Sequence, residues 1–178
     1  VSWNIAGGRP VNSLATQFSY CEENLKYFVD QLAKINSDII CLQESHSNNN
    51  FSIAKEIAKS LNYNYFLDTP HNDSHIDKKY KLTLSIISRF PLNQTSSFNL
   101  PNPNFVKHFP DGRIYHSFDE KIQLVKVNNF YLANTMLLPV GIFDEKYDSP
   151  KNRNYVSSIE NVFLQLPSPL IFCGDFNY

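Results

Sequence analysis

Three short apolar runs in this chain each stop on a polar residue. Ile171-Phe172-Cys173 leads into Gly174-Asp175-Phe176-Asn177, Cys41-Leu42 into Gln43-Glu44-Ser45, and Trp3 stands before Asn4-Ile5. A buried strand that ends on a carboxylate or an amide presents that group in the crevice beyond its carboxyl edge, where ligand sites of α/β sheets gather. Three such deliveries require strand ends that converge, and the pattern points to an α/β fold with one site.

The rest of the chain supplies the layers. Leu25, Phe28, Val29 and Leu32 fall at helical spacing after Ser19-x-x-Glu22, which has the form of a capping box, and predict a helix over 20–35. Residues 38–42, in which Asp38 leads into the apolar run Ile39-Ile40-Cys41-Leu42, are too short for a helix and suited to a buried strand. Ile53, Ile57 and Leu61 predict a second helix over 51–61, followed by a strand over 63–67. Residues 71–79 are polar and turn-rich and are assigned to a loop. Strands resume over 82–88, 121–127 and 130–134, the last two joined at Asn128-Asn129. The proline-containing stretch 93–112 is assigned to an irregular connection. Val156, Ile159, Phe163 and Leu166 form a helical stripe that Pro167 ends, and 170–173 is the closing strand. The order is an α/β sandwich with helices on the outer faces of packed sheets, in one domain over 1–178.

Composition narrows the function classes. With 178 residues and 42% hydrophobic content the chain can bury a core, which excludes disorder. The net charge is −1 and the longest basic cluster is Lys78-Lys79-Tyr80-Lys81, so no broad phosphate-tracking surface is encoded and a general DNA nuclease is disfavoured. Cys21, Cys41 and Cys173 are an odd set without metal-ligand spacing, and two sit in apolar runs as small hydrophobes. No apolar stretch approaches the roughly 20 residues that span a bilayer. A monomer is expected, and a cytoplasmic location is favoured.

Taken in order, Trp3-Asn4-Ile5, Gln43-Glu44, Ser88-Arg89-Phe90-Pro91 and Gly174-Asp175-Phe176-Asn177 resemble the endonuclease/exonuclease/phosphatase superfamily, whose fold is the DNase I-like α/β sandwich. The resemblance runs from end to end. It implies a metal-dependent phosphoesterase that uses Mg²⁺ or Mn²⁺, with a phosphate ester as substrate: nucleic acid, inositol phosphate, phospholipid headgroup or protein-linked phosphodiester. It implies Glu44 as principal metal ligand and Asn4 as a second, neutral ligand or an orienter of water and phosphate. Asp175 would orient or deprotonate the attacking water, and Asn177 would hold the phosphate beside it. Family members continue to a terminal Ser-Asp-His-like motif, so the chain is expected to be the N-terminal major part of such a domain, lacking its last strands and inactive in isolation.

The chemistry fits those residue types. A phosphate ester resists attack because its centre is already anionic, and a hard cation held by one or two carboxylates offsets that charge. One departure weakens the pattern: Asn134-Thr135-Met136-Leu137 stands where many members carry Asn-Thr-His-Leu, and a methionine has no proton to give. A noncatalytic or degenerate binding module of the same fold is therefore the alternative function. Arg113 and His116, after the Pro110-Asp111-Gly112 turn, are further candidates for phosphate contact. The alternating His71, Asp73, His75 and Asp77 are read as a solvated loop, and Tyr63, Tyr65 and Phe66 as core aromatics.

Overall fold

A computed structural model describes residues 1–9 and 22–177, without the side chains of Glu22 and Glu23. The capping box expected at Ser19 and the third cysteine, Cys21, lie outside the described residues. In chain order the elements are β1 (Ser2–Asn4), α1 (Glu22–Ile35), β2 (Ile39–Ser47), α2 (Ile53–Ser60), β3 (Tyr65–Asp73), β4 (Lys81–Ser88) and β5 (Asn93–Asn99). They continue with β6 (Val106–His108), β7 (Ile114–His116), β8 (Lys121–Val127), β9 (Phe130–Met136), a 3₁₀ turn (Val140–Phe143), α3 (Pro150–Phe163) and β10 (Leu170–Asp175).

Two four-stranded sheets face each other, ordered β1-β2-β4-β3 and β10-β9-β8-β5, with β6-β7 as a separate ribbon. In each sheet the first pair is parallel and the others antiparallel. The alternation of side chains along each strand divides the core into three apolar layers. Ile40, Leu42 and Ile87 face outward onto Phe28 and Leu32 of α1 and Ile53, Ile57 and Ala58 of α2. Cys41, Ile86, Val125, Val127 and Leu132 meet between the sheets. Ile122, Leu124 and Ala133 face Tyr155 and Ile159 of α3 and the 3₁₀ residues Val140 and Phe143. The result is helices, sheet, sheet, helix, the sandwich expected from the sequence.

The helix ends follow side-chain capping. Ser52 accepts from the Lys55 amide at 3.1 Å and starts α2, and Ser149 accepts from the Asn152 amide at 3.1 Å before Pro150 at the first turn of α3.

Three assignments need correction. The irregular connection expected over 93–112 contains β5 and β6, and β7 follows at once; β5 is an edge strand exposed along its whole length, so Asn93-Gln94-Thr95-Ser96-Ser97 carries no buried alternation to read. Residues 71–73, read as loop, continue β3, because a register shift between Pro70 and Asn72 lets the strand go on pairing with β4 past the proline. Of the aromatics assigned to the core, Tyr63 is buried and bonds the Ser37 carbonyl, whereas Tyr65 and Phe66 are exposed. β2 also runs five residues past the predicted run, through an irregularity between Leu42 and Ser45, and that irregularity builds the site.

Candidate active site

The edge strands β1 and β10 lie against each other where the two sheets meet, and their polar ends converge with the middle of β2. Asn4 pairs with Gln43 in parallel register, and the next residue of β2 is Glu44. Glu44 has a positive φ of 48° within the irregular stretch of the β2–β4 ladder. Bulges of this kind re-aim a side chain. Here the flanking Leu42 and Gln43 keep strand alternation, Leu42 on the helix side and Gln43 between the sheets, while Glu44 turns toward the strand ends. The Gly7 amide bonds the Glu44 carbonyl at 2.8 Å and fixes the turn after β1 upon it.

At the centre stands the Asn4 amide. Its Nδ2 donates to Glu44 Oε1 at 2.9 Å and to Asp175 Oδ2 at 2.8 Å, while its Oδ1 accepts from the Ala6 amide at 3.0 Å. The Ala6 bond fixes which way the amide points, since only the oxygen can accept from an N–H. Asn4 thus holds two carboxylates with the two hydrogens of one amide. Met136 Sδ lies 3.9 Å from the same Nδ2.

Asp175 is set by a close approach of β10 to β9. A Cβ on Gly174 would stand 2.3 Å from the Thr135 carbonyl oxygen, so only glycine permits this spacing. Asn177, at φ 52°, closes an Asx turn in which its amide donates to Asp175 Oδ1 at 3.1 Å. Its side-chain Nδ2 donates to the Leu137 carbonyl at 2.7 Å. The structure thus brings together Asn4, Glu44 and Asp175, with Asn177 alongside as a brace of Asp175 that keeps one amide hydrogen to spare.

The other candidates lie elsewhere. Arg113 is exposed, pairs with Asp111 at 2.7 Å and stacks over Phe109, as expected of a solvated turn. His116 is exposed at the end of the β6–β7 ribbon and lines a cavity of about 330 Å³ with Asn72, Asp73, His75, Leu82, Tyr115 and Phe118. The alternating 71–77 stretch gathers no ligands: Asp73 pairs with Lys81 at 2.6 Å, and His71 is buried inside. Among the described residues no group of three or more His, Cys, Asp and Glu is placed to hold a metal.

Two features had no sequence signal. A buried carboxamide lattice ties the sheets beneath the site: Gln43 Nε2 donates to Asn134 Oδ1 at 2.7 Å, and Asn134 Nδ2 reaches the Leu42 and Ser85 carbonyls at 3.1 Å and Gln123 Oε1 at 3.3 Å. The second is a buried pair, His71 Nε2 and Glu120 Oε2, 3.4 Å apart and without regular hydrogen bonds. Burial pushes Glu120 well above the usual carboxylate range, and the charges of Glu44 and Asp175 push the same way. Burial pulls His71 down to about 4, against the opposing effect of the Thr69 backbone. His71 therefore rests neutral, and Glu120 holds its proton more firmly than an ordinary carboxylate. A buried acid or histidine among apolar strands gives no periodicity to read.

The family model for the endonuclease/exonuclease/phosphatase family matches residues 1–178. The chain belongs to that family. Solved structures with the same fold include an endonuclease/exonuclease/phosphatase from Beutenbergia cavernae (14% identity, TM-score 0.61, covering 99% of this chain and 46% of that one). The 3′ phosphatase NExo from Neisseria, bound to a product DNA hairpin, matches at 17% identity and TM-score 0.55, over 99% of this chain and 56% of that one. The human Nocturnin catalytic domain with a bound sulfate matches at 19% identity and TM-score 0.55, over 99% and 62%. The chain thus spans about half to two-thirds of the length of these structures. A search of curated proteins finds no match. The fold is the DNase I-like sandwich, and no described helix is long and apolar enough to cross a membrane.

Proposed function

We propose that the protein is a Mg²⁺-dependent phosphoesterase that hydrolyses a phosphate ester by direct attack of water. The observation that carries this reading is the single Asn4 amide hydrogen-bonded to both Glu44 and Asp175. Two carboxylates drawn to one nitrogen repel each other, and a hard dication is the partner that such an oxygen pair suits. Mg²⁺ needs only one or two carboxylates and completes its shell with water and substrate oxygens, so the donor set fits it, or Mn²⁺. Glu44 and Asp175 would hold the ion, which supplies charge to a phosphoryl group that must accept a nucleophile. Asn4, whose oxygen is engaged by Ala6, acts as the positioning donor between the carboxylates.

The remaining steps belong to the chain. Asp175 takes a proton from the attacking water as its oxygen bonds to phosphorus; the bond to the leaving oxygen breaks opposite, and that oxygen is protonated from solvent. Asn177 braces Asp175 through the Asx turn and offers its second amide hydrogen to the phosphate.

The test is hydrolysis of a generic phosphodiester by the full-length protein with and without Mg²⁺. Glu44→Gln and Asp175→Asn should each lower kcat by about 10²–10⁴. The alternative, a degenerate binding module, is favoured by Met136, which puts a thioether 3.9 Å from Asn4 where a proton donor would serve. A full-length protein inert toward phosphomonoesters and phosphodiesters would select it.

A further inference from the structure

The turn after β1 holds two site residues through its backbone, and its own position depends on a side chain that the chemistry does not use. The Ala6 amide fixes the Asn4 side chain, and the Gly7 amide bonds the Glu44 carbonyl at 2.8 Å. Gly8 and Arg9 close the turn on the Ile5 carbonyl at 2.8 and 3.1 Å. A shift of this turn therefore moves the Asn4 donor relative to the Glu44 carboxylate. Gly7 is buried at a φ of 68°. A Cβ there would stand 2.5 Å from Cε1 and 2.7 Å from Nε2 of His46, and 2.9 Å from Cδ1 of Ile76, so the turn rests directly on an imidazole and an isoleucine.

His46 is two residues past Glu44 in β2, pairs with Leu82 of β4 and is buried. Its ring stacks on Tyr80, with centroids 5.2 Å apart and 10° between planes, and Phe51 backs Tyr80 edge-on at 5.8 Å. Ser74, also buried, has its Oγ 2.8 Å from His46 Nε2. That oxygen already accepts from the Ile76 amide at 3.0 Å and the Asp77 amide at 3.1 Å, so its hydrogen goes to Nε2, which makes the imidazole the neutral tautomer with its proton on Nδ1. The Ser74 amide in turn bonds the Tyr80 carbonyl at 3.0 Å, so one closed loop supplies Ser74, Ile76 and Tyr80 together. Fixed at its face by Tyr80 and at its edge by Ser74, the ring has one orientation, and Gly7 lies against it.

We propose that His46 is a positioning residue for the site of Asn4, Glu44 and Asp175: its ring, locked by Ser74 and Tyr80, is the support on which the Gly7 turn rests, and through that turn it sets where Glu44 stands relative to Asn4. The assignment rests on the phosphoesterase reading of that site. It gives the 71–77 stretch, read from sequence as a solvated loop, an inward role through Ser74 and Ile76. His46 touches neither ion nor substrate, and its effect on them passes through Gly7 and Glu44. A packing residue of the core would stabilise the fold alone, whereas a support of this turn alters cation affinity in protein that is still folded.

The experiment titrates Mg²⁺ by calorimetry into the full-length wild type, His46→Ala, His46→Phe, Gly7→Ala and the double variant Gly7→Ala/His46→Ala, with kcat on a generic phosphodiester and the melting temperature read alongside. His46→Ala and Gly7→Ala should each weaken Mg²⁺ binding about 10-fold and lower kcat to match. His46→Phe keeps a ring on Tyr80 and under Gly7 but loses the Ser74 bond, so it should fall in melting temperature as His46→Ala does and yet recover most of the lost affinity. In the double variant the two losses should not multiply, because the methyl group at position 7 no longer meets a ring. Wild-type Mg²⁺ affinity in His46→Ala, a His46→Phe as weak as His46→Ala, or losses that multiply in the double variant each overturn the assignment of His46 and leave the phosphoesterase reading standing. Should His46→Ala not fold, wild-type affinity in Gly7→Ala does the same. A wild type that neither binds Mg²⁺ nor turns over any ester overturns both.

Discussion

Asn134→Leu is the substitution that tests how the sheets are held together under the site. Leucine keeps the branching of asparagine and is the larger residue, so no cavity forms, and the polar cost is a lower bound to which overpacking can add. Asn134 is fully buried, and its Nδ2 has two hydrogens for three acceptors, the Leu42 and Ser85 carbonyls and Gln123 Oε1. Counting those as two bonds and adding the 2.7 Å bond from Gln43 gives three, each a net contribution of about 1 kcal/mol. The substitution also leaves the buried Gln123 Oε1 without a partner, a further cost of about 1–3 kcal/mol, whereas Gln43 Nε2 keeps Ser2 Oγ at 3.0 Å. The total is about 4–6 kcal/mol, a large part of the stability of an ordinary domain. Urea unfolding followed by circular dichroism measures it. Adding Gln123→Leu removes the orphaned oxygen but also the two bonds at 3.0 Å that Gln123 Nε2 donates to the Leu67 carbonyl and Thr69 Oγ1, so the two effects should nearly cancel and the double variant should be about as stable as Asn134→Leu alone. A loss below about 1 kcal/mol for Asn134→Leu would show that the carboxamide lattice is not what joins the sheets, and would refute this reasoning.

Other substitutions probe the site and its surroundings. Gly174→Ala places a methyl group against the Thr135 backbone and pushes β10 off β9, so a loss of about 1–3 kcal/mol in unfolding should come with weakened Mg²⁺ binding as Asp175 leaves Asn4. Glu120 keeps its proton in the fold above the pH where the unfolded chain loses it, so it costs stability as pH rises past the ordinary carboxylate range; Glu120→Gln should raise the melting temperature at pH 7–8 and leave it unchanged near pH 4. His46 and His71 are both held down to about 4, so they take up protons in the unfolded chain first. Their contribution is fully present above about pH 6.5 and is lost as pH drops toward 4, with buried His71 alone accounting for about 3 kcal/mol below that; His71→Gln should flatten the acid limb of a melting-temperature profile.

The layers of this fold are legible in the sequence because burial writes a period. Ile40 and Leu42 alternate with Cys41 across β2, and Ile53 and Ile57 recur once per turn of α2, so strand and helix are each recognisable. Asn4, Glu44 and Asp175 are legible for a related reason: each follows an apolar residue or run, and the fold needs their strands buried whatever the site does. β5 is silent because an exposed edge strand has no face to keep apolar. The Asn134 lattice is silent because its role depends on a partner far along the chain, Gln43. The bulge at Glu44 is readable only in part: Gln43-Glu44 marks where the apolar run stops, but the positive φ that swings the carboxylate toward Asn4 comes from the pairing of β2 with β4.

The most direct test of the central claim, that one amide draws Glu44 and Asp175 into a hard-cation site, is a calorimetric titration of Mg²⁺ into the full-length protein, Glu44→Gln, Asp175→Asn and Asn4→Ala. Saturable binding by the wild type, lost in both carboxylate variants and weakened at least several-fold in Asn4→Ala, is the predicted result. Glu44→Gln binding Mg²⁺ as tightly as the wild type would contradict it.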